Sequence, residues 1–170
     1  SWKETDPTLQ KWNNSRKEID SLNKEFADSS FIIPSEELSL HNLDGRNIHA
    51  LILNNPDFLP GSGDSAEKPF NFKSEYNTQN VNEGLAKDAL CIAAHPFTPV
   101  PILQWLFFKR GKWKLNDVLQ NDIAGIQILN GAIDIGFNEG MKFWINILLK
   151  GHHKYIYAGN DAHGNFNMYR

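Results

Sequence analysis

Three periodic segments follow one another in residues 123–158, IAGIQILNGAIDIGFNEGMKFWINILLKGHHKYIYA. Residues 123–129 form an apolar run that is typical of a buried strand. Residues 137–150 place apolar side chains on one helical face, and Gly151 can end that helix. Residues 155–158 are again apolar and aromatic, as in a strand. This order of strand, helix and strand predicts an α/β architecture with parallel strand pairing.

The same alternation extends towards the N-terminus. Asp6-Pro7 is typical of a helix start, and apolar residues recur at helical spacing from Leu9 to Phe26. Residues 55–79 are rich in Gly, Pro, Ser, Asp and Asn, which predicts a long loop. For the aromatic residues Trp105, Phe107, Phe108 and Trp113, packing in the core is the expected role, and a substrate wall is the alternative. The remaining segments predict strands at 31–33, 48–54 and 89–94 and short helices at 80–86 and 115–119.

Composition limits the class of protein. The 170 residues suffice for one domain with a hydrophobic core, and 41% hydrophobic with 22% charged residues is ordinary for a globular protein. A net charge of −3 gives no indication of nucleic-acid binding, and no apolar run is long enough to span a membrane. Cys91 is the only cysteine, which excludes an internal disulfide and a cysteine-based zinc site. The polar opening at residues 2–6 is unlike a signal peptide and favours the cytoplasm.

Residues able to bind a metal or a substrate follow the predicted strands. Enzymes with parallel sheets place their chemistry at the carboxyl ends of the strands, where distant parts of the chain meet. Carboxylates and imidazoles together suit Zn²⁺, Mn²⁺ or Fe²⁺. The residues in such positions are Glu36 and Glu37 after residues 31–33, His95 after 90–94, Asn130 after 125–129, and Asp161 and His163 after 155–158.

Each of these residues alone has a simpler explanation. Asp161 and His163 lie two apart and can face one cavity, yet a polar turn explains them equally well. His95 could bond a backbone carbonyl, Glu37 could be solvated, and His49 between Ile48 and Ala50 could be a core histidine. Their combination favours a shared metal site, because otherwise four unrelated accidents must coincide.

The motifs resemble those of the PHP (polymerase and histidinol phosphatase) superfamily, and are most similar to its stand-alone metallohydrolases. Two segments resemble the family's glycine-x-glutamate and histidine-leucine segments, and the alanine-histidine-proline and terminal aspartate-x-histidine motifs follow them in the family's order. The matching residues are Ser35-Glu36-Glu37, His49-Ala50-Leu51, Ala94-His95-Pro96, Leu129-Asn130-Gly131 and Asp161-Ala162-His163.

The resemblance implies a distorted (β/α)7 barrel that holds up to three divalent metal ions at its strand ends. By this resemblance Glu37 bridges two metals, and His49 and His95 complete the ligands of the second. Asp161 binds the first metal and His163 the third. Glu37, His95 and Asp161 would then be the catalytic residues.

The chain also departs from the family pattern. The opening histidine-x-histidine motif and the aspartate-histidine-asparagine motif after it are missing, and Ser35 stands where glycine is common. Only the ligand set of the second metal is complete. We therefore expect residues 1–170 to be a single PHP-like domain that lacks its first strands and is incomplete at both ends.

The function implied is metal-dependent hydrolysis of a phosphate monoester or diester by metal-activated water. Arg110 and Asn130 are the candidate substrate-binding residues, although a solvated charge cluster also explains Lys109, Arg110 and Lys112. The alternative is a degenerate, non-catalytic module that binds one metal or none and serves an interaction role. Neither a membrane nor nucleic acid is indicated as a partner, and the sequence leaves the oligomeric state open.

Overall fold

The computed structural model describes residues 7–61, 70–120 and 122–160. Its regular elements comprise five strands and four α-helices, with a short 3-10 helix at Val81–Gly84. In chain order the elements are α1 (Gln10–Glu25), β1 (Ser35–His41), β2 (Asn47–Leu53), β3 (Leu90–Ala93), α2 (Ile102–Phe107), α3 (Leu115–Val118), β4 (Ile123–Asn130), α4 (Ile135–Leu149) and β5 (Tyr155–Gly159).

The strands form one open mixed sheet in the order β1-β2-β3-β4-β5. Strands β1, β2 and β3 pair antiparallel, whereas β3, β4 and β5 pair parallel. The predicted strand, helix and strand of residues 123–158 are confirmed as β4, α4 and β5. The helix predicted at 9–26 and the strands at 48–54 and 89–94 are also confirmed, as α1, β2 and β3.

The expected (β/α)7 barrel is wrong. Strands β1 and β2 are joined only by residues 42–46. Such a short connection joins antiparallel neighbours, since a parallel pair needs a crossover of about a dozen residues or more. The described strands therefore start with a hairpin, and β1 and β5 lie at opposite edges of the sheet instead of closing it.

The strand predicted at residues 31–33 is also wrong. Phe31 is 71% exposed, and β1 begins only at Ser35, after Pro34. The apolar run was the misleading signal there. The actual strand alternates, with Leu38 and Leu40 buried in the core and Glu37 on the opposite face. Period-two alternation of this kind is typical of an antiparallel strand with one face in the core.

The core lies on one face of the sheet and is covered in part by α4. Leu38, Ala50 and Ala93 sit side by side in register and are fully buried. Ile147 of α4 is fully buried in the same cluster. Trp113 packs in the core as expected, but Trp105, Phe107 and Phe108 are exposed, which corrects that expectation. Within the described ranges, no helix has both the length and the apolar character needed to cross a bilayer.

Candidate metal centre

Glu37 lies in the middle of β1, on the face of the sheet opposite the core. Its Cα partner in β2 is Leu51, and the next pair on the same face, two residues along, is Ser39 with His49. Side chains alternate between faces along a strand, so Glu37 and His49 project from the same face of the hairpin. The hairpin register therefore brings this carboxylate and this imidazole together, and Glu37 does not follow a strand as the sequence analysis supposed.

His95 joins them from the end of β3. Strand β3 pairs with β2, and the bond from the Ala94 amide to the His49 carbonyl (3.1 Å) extends that pairing by one residue. His95 then has a φ of +30°, in the left-handed region that residues other than glycine seldom adopt. This turn of the backbone directs the imidazole towards β1. Strain of this kind is concentrated at functional sites.

The three side chains share one carboxylate oxygen. Glu37 Oε1 lies 2.5 Å from His49 Nδ1 and 3.1 Å from His95 Nε2. Hydrogen bonds from His49 and then from His95 hold the pKa of Glu37 well below its ordinary value, against the opposing effect of burial. Glu37 is therefore a carboxylate at neutral pH. The two imidazole rings meet edge to face, with centroids 5.6 Å apart.

Arg110 and Trp113 hold His49 from the other side. The Arg110 guanidinium nitrogens lie 2.6 Å from His49 Nε2 and 3.2 Å from Nδ1. The Trp113 indole donates to the His49 carbonyl at 3.0 Å. The guanidinium can only donate, so its contact with Nε2 favours the His49 tautomer whose proton lies on Nδ1 and is donated to Glu37. The sequence left two roles for Trp113, packing in the core and forming part of a substrate wall.

These groups line an open cavity of about 150 Å³. Glu37, His49 and His95 occupy one part of its wall, and Arg110 and Lys112 supply positive charge beside them. The remaining lining residues are Ile48, Ala94, Pro96, Thr98, Pro99, Val100, Gln104, Gly111 and Trp113.

Among the described residues, Asn130 is the predicted site residue that lies away from the cavity. Asn130 ends β4, as predicted, but does not line this cavity in the described part of the chain; its side-chain oxygen accepts a bond from Gln127 at 3.3 Å. Asp161 and His163 lie outside the described residues. Five metal ligands were predicted, and the described structure brings three of them together.

Gln127 is a site residue that the sequence analysis missed. It is buried in β4, and its Oε1 accepts a bond from the His95 amide at 3.3 Å. Gln127 thus connects the strained turn at His95 with Asn130. The available signal was its position: a single polar residue within the apolar run of residues 123–129 needs a hydrogen-bonding partner once it is buried.

The donor set fits a divalent cation. One oxygen of Glu37 and one nitrogen each of His49 and His95 lie within 4.8 Å of one another. Two imidazoles and one carboxylate are a known ligand set of catalytic zinc, which leaves a further coordination position for water or substrate. Here that position would face the cavity, where Arg110 and Lys112 could meet an anion.

Comparison with known proteins identifies no relative of this chain. No family model, no curated protein and no solved structure matches the chain. The assignment of the site therefore rests on the side-chain geometry alone.

Proposed function

We propose that Glu37, His49 and His95 bind a divalent metal ion and that the site hydrolyses a phosphate ester. The observation that carries the proposal is the convergence of three potential ligands from β1, β2 and the end of β3 on one cavity wall. The proposal includes a relationship to the PHP superfamily, supported by the order of the motifs. It also includes Asp161 and His163 as further ligands.

The three ligands would contribute different donor atoms to the metal, a charged oxygen from Glu37 and ring nitrogens from His49 and His95. Glu37 supplies the negative charge, because its pKa lies far below neutrality. His49 and His95 would each ligate the metal through the ring nitrogen that now donates to Glu37, and the proton on that nitrogen would be released to solvent or move to the other ring nitrogen. A divalent ion bound there would polarise the ester and lower the pKa of a water molecule.

The cations at the cavity favour an anionic substrate. Arg110 presents a planar guanidinium, which can bind two phosphate oxygens at once, and Lys112 adds a second positive charge. Together they would hold the substrate and stabilise negative charge that develops during hydrolysis. A phosphate monoester or diester, which is negatively charged, therefore fits these cations better than an uncharged ester does.

A specific observation also favours the non-catalytic alternative. Glu37 already accepts bonds from both histidines, and Arg110 contacts both ring nitrogens of His49. A polar cluster satisfied in this way is stable without a metal. The second candidate is therefore a module that binds one metal or none and has no hydrolytic role.

Calorimetric titration with Zn²⁺ and Mn²⁺ tests the metal site. Glu37→Gln should weaken binding by more than about a hundredfold, because the charged ligand is lost. Glu36→Gln is the matched control, since Glu36 neighbours Glu37 on β1 but projects from the opposite face, and it should bind as the wild type does. Equal affinities for the two variants would contradict the site.

Phosphate release from a panel of monoesters and diesters separates the two candidates. The hydrolase predicts turnover that chelation abolishes, that Zn²⁺ or Mn²⁺ restores, and that Glu37→Gln and Asp161→Ala remove. Tight metal binding without turnover would support the non-catalytic module. Turnover that is indifferent to chelator would exclude metal-dependent hydrolysis.

A further inference from the structure

A largely apolar and exposed segment lies beside the cavity. This segment, residues 102–108, consists of α2 and Phe108, and the apolar side chains of the segment are between 39% and 79% exposed. Single exposed apolar residues are common on protein surfaces, but contiguous patches mark interaction sites. We call residues 102–108 the apolar wedge; its exposed side chains are Ile102, Leu103, Trp105, Leu106, Phe107 and Phe108.

The wedge is held in place at its base. The Asn47 amide donates to the Lys109 carbonyl at 3.0 Å, and the Gly111 amide donates to the Asn47 carbonyl at 2.7 Å. The Arg46 guanidinium donates to the Trp105 carbonyl at 3.0 Å and lies 4.3 Å from the centre of its ring. The wedge is thus a short helix fastened to β2 with its apolar side chains still exposed.

Basic residues follow the wedge directly in the sequence, and Arg46 contacts it. No Asp or Glu occurs between Asp88 and Asp117, whereas this interval contains four basic residues, in a chain whose net charge is −3. Lys109 and Lys112 are exposed, as is Lys114, which pairs with Asp44. The basic residues are Lys109, Arg110, Lys112 and Lys114, and Arg46 adds another from the β1–β2 loop.

We propose that the apolar wedge and its flanking cations form a docking surface for an anionic lipid bilayer. Apolar and aromatic side chains would enter the boundary between headgroups and acyl chains. The cations would stay at the level of the anionic headgroups, which attract basic segments close to a membrane. This mode of binding lies on the membrane and needs no helix that crosses it.

The chemistry of the surface favours lipid over other occupants. A symmetric contact between two copies of the chain would bring both sets of cations together, which is repulsive. Single-stranded nucleic acid could stack on Trp105, Phe107 and Phe108, but it would leave the aliphatic side chains of Ile102, Leu103 and Leu106 without an apolar environment. Aliphatic side chains rimmed by lysine and arginine match an anionic lipid surface best.

Docking would place the candidate cavity at the headgroup level. Gln104 of the wedge lines the cavity, and so do Arg110 and Lys112. Membrane binding by this surface does not depend on the proposed hydrolysis, because the wedge lies outside the metal ligands. The two proposals therefore fail independently.

Vesicle flotation with the full chain tests the proposal. The chain should float with phosphatidylcholine vesicles that contain about 30 mol% phosphatidylserine, and less with pure phosphatidylcholine, and added salt should weaken binding. Leu103→Ser should reduce the bound fraction about tenfold, since apolar burial is lost. Leu149→Ser is the matched control: both leucines are highly exposed, at 67% and 83%, and only Leu103 belongs to the wedge.

A charge variant tests the contribution of the cations that flank the wedge. Lys109→Gln should weaken binding to the anionic vesicles roughly fivefold, whereas Lys150→Gln, an exposed lysine on α4's C-terminus, should leave it unchanged. Equal flotation with neutral and anionic vesicles, or equal loss for Leu103→Ser and Leu149→Ser, would overturn the proposal. A lipid-independent dimer that Leu103→Ser dissociates, seen by sedimentation velocity, would assign the wedge to a second copy instead.

Discussion

At the scale of single residues, Glu36 and Glu37 show how strand alternation separates two identical side chains. Glu36 points towards the core side, and burial raises its pKa, although the positive charge of Arg16 opposes this effect. Glu37 projects from the other face, where hydrogen bonds from His49 and His95 lower its pKa. One step along β1 therefore distinguishes a buried carboxyl group from a potential metal ligand.

Cys91 is expected to be chemically inert in the folded protein. It is fully buried in β3, and burial together with the charge of Asp122 raises its pKa from 9.0 to about 12. The reactive thiolate is then about one part in ten thousand at pH 8. We predict negligible reaction with a chromogenic disulfide reagent at pH 8 and rapid reaction in guanidinium chloride. Stoichiometric labelling of the folded chain within seconds would contradict this burial.

The raised pKa of Cys91 also predicts how the free energy of unfolding depends on pH. A raised folded-state pKa favours the neutral thiol in the native protein. The contribution of Cys91 to the free energy of unfolding is thus complete below pH 9 and is lost as pH rises towards about 12.

At the scale of secondary-structure elements, β4 is the strand on which the parallel half of the sheet is built. It pairs with β3 on one side and β5 on the other, and α4 packs against it. Lys154, just before β5, donates to the carbonyls of Gln120 and Ile123 and so secures the start of β5 to the start of β4. Strands β4 and β5 approach closely at Gly125, opposite Tyr155.

We predict that Gly125→Ala destabilises this half of the sheet. A Cβ at Gly125 would lie 2.3 Å from the Tyr155 carbonyl oxygen and 2.6 Å from the ring of Tyr157, and the backbone atom cannot rotate away. Urea denaturation should show a loss of about 3 kcal/mol in the free energy of unfolding. Gly136→Ala in α4 is the control, since its Cβ would lie 3.2 Å from the nearest atom, and the change should stay within about 1 kcal/mol.

At the scale of the whole molecule, Asp117 connects segments that are distant in the sequence. It is fully buried and accepts bonds from the amides of Leu43 (2.8 Å) and Lys114 (3.0 Å) and from the hydroxyl of Thr78 (3.2 Å). It thereby joins the β1–β2 loop, the end of the long loop and α3. This network lies next to the segment that carries Arg110 and Lys112 to the cavity, since the Asn42 side chain donates to the Lys112 carbonyl.

Asp117→Ala is predicted to lower the free energy of unfolding by about 2–4 kcal/mol, because buried donors lose a charged acceptor. Urea denaturation measures the loss. Asn116→Ala is the matched control, since Asn116 is an exposed neighbour in the same helix, and it should change stability by less than about 0.5 kcal/mol. Similar losses for the two variants would contradict the role of the buried carboxyl group, because alanine favours a helix more than Asp or Asn does and propensity alone predicts no loss.

Local patterns in the sequence were sufficient for β4, α4 and β5, because periodicity and end signals such as Gly151 act within a few residues. The order of the motifs was also sufficient to place Glu37, His49 and His95 among five candidate ligands, in a chain that has 20 acidic residues and six histidines. The same patterns failed at residues 31–33, where an apolar run proved exposed and the alternating strand began after it.

The sequence by itself determined the local elements and the chemical types available for a site. Tertiary structure alone decided that β1 and β2 form an antiparallel hairpin in an open sheet, that Glu37 and His49 share a face, and that Arg110 contacts His49. It also left the apolar wedge exposed instead of buried in the core. Strand register, sheet closure and contacts between residues about sixty positions apart depend on long-range packing, which no local periodicity encodes.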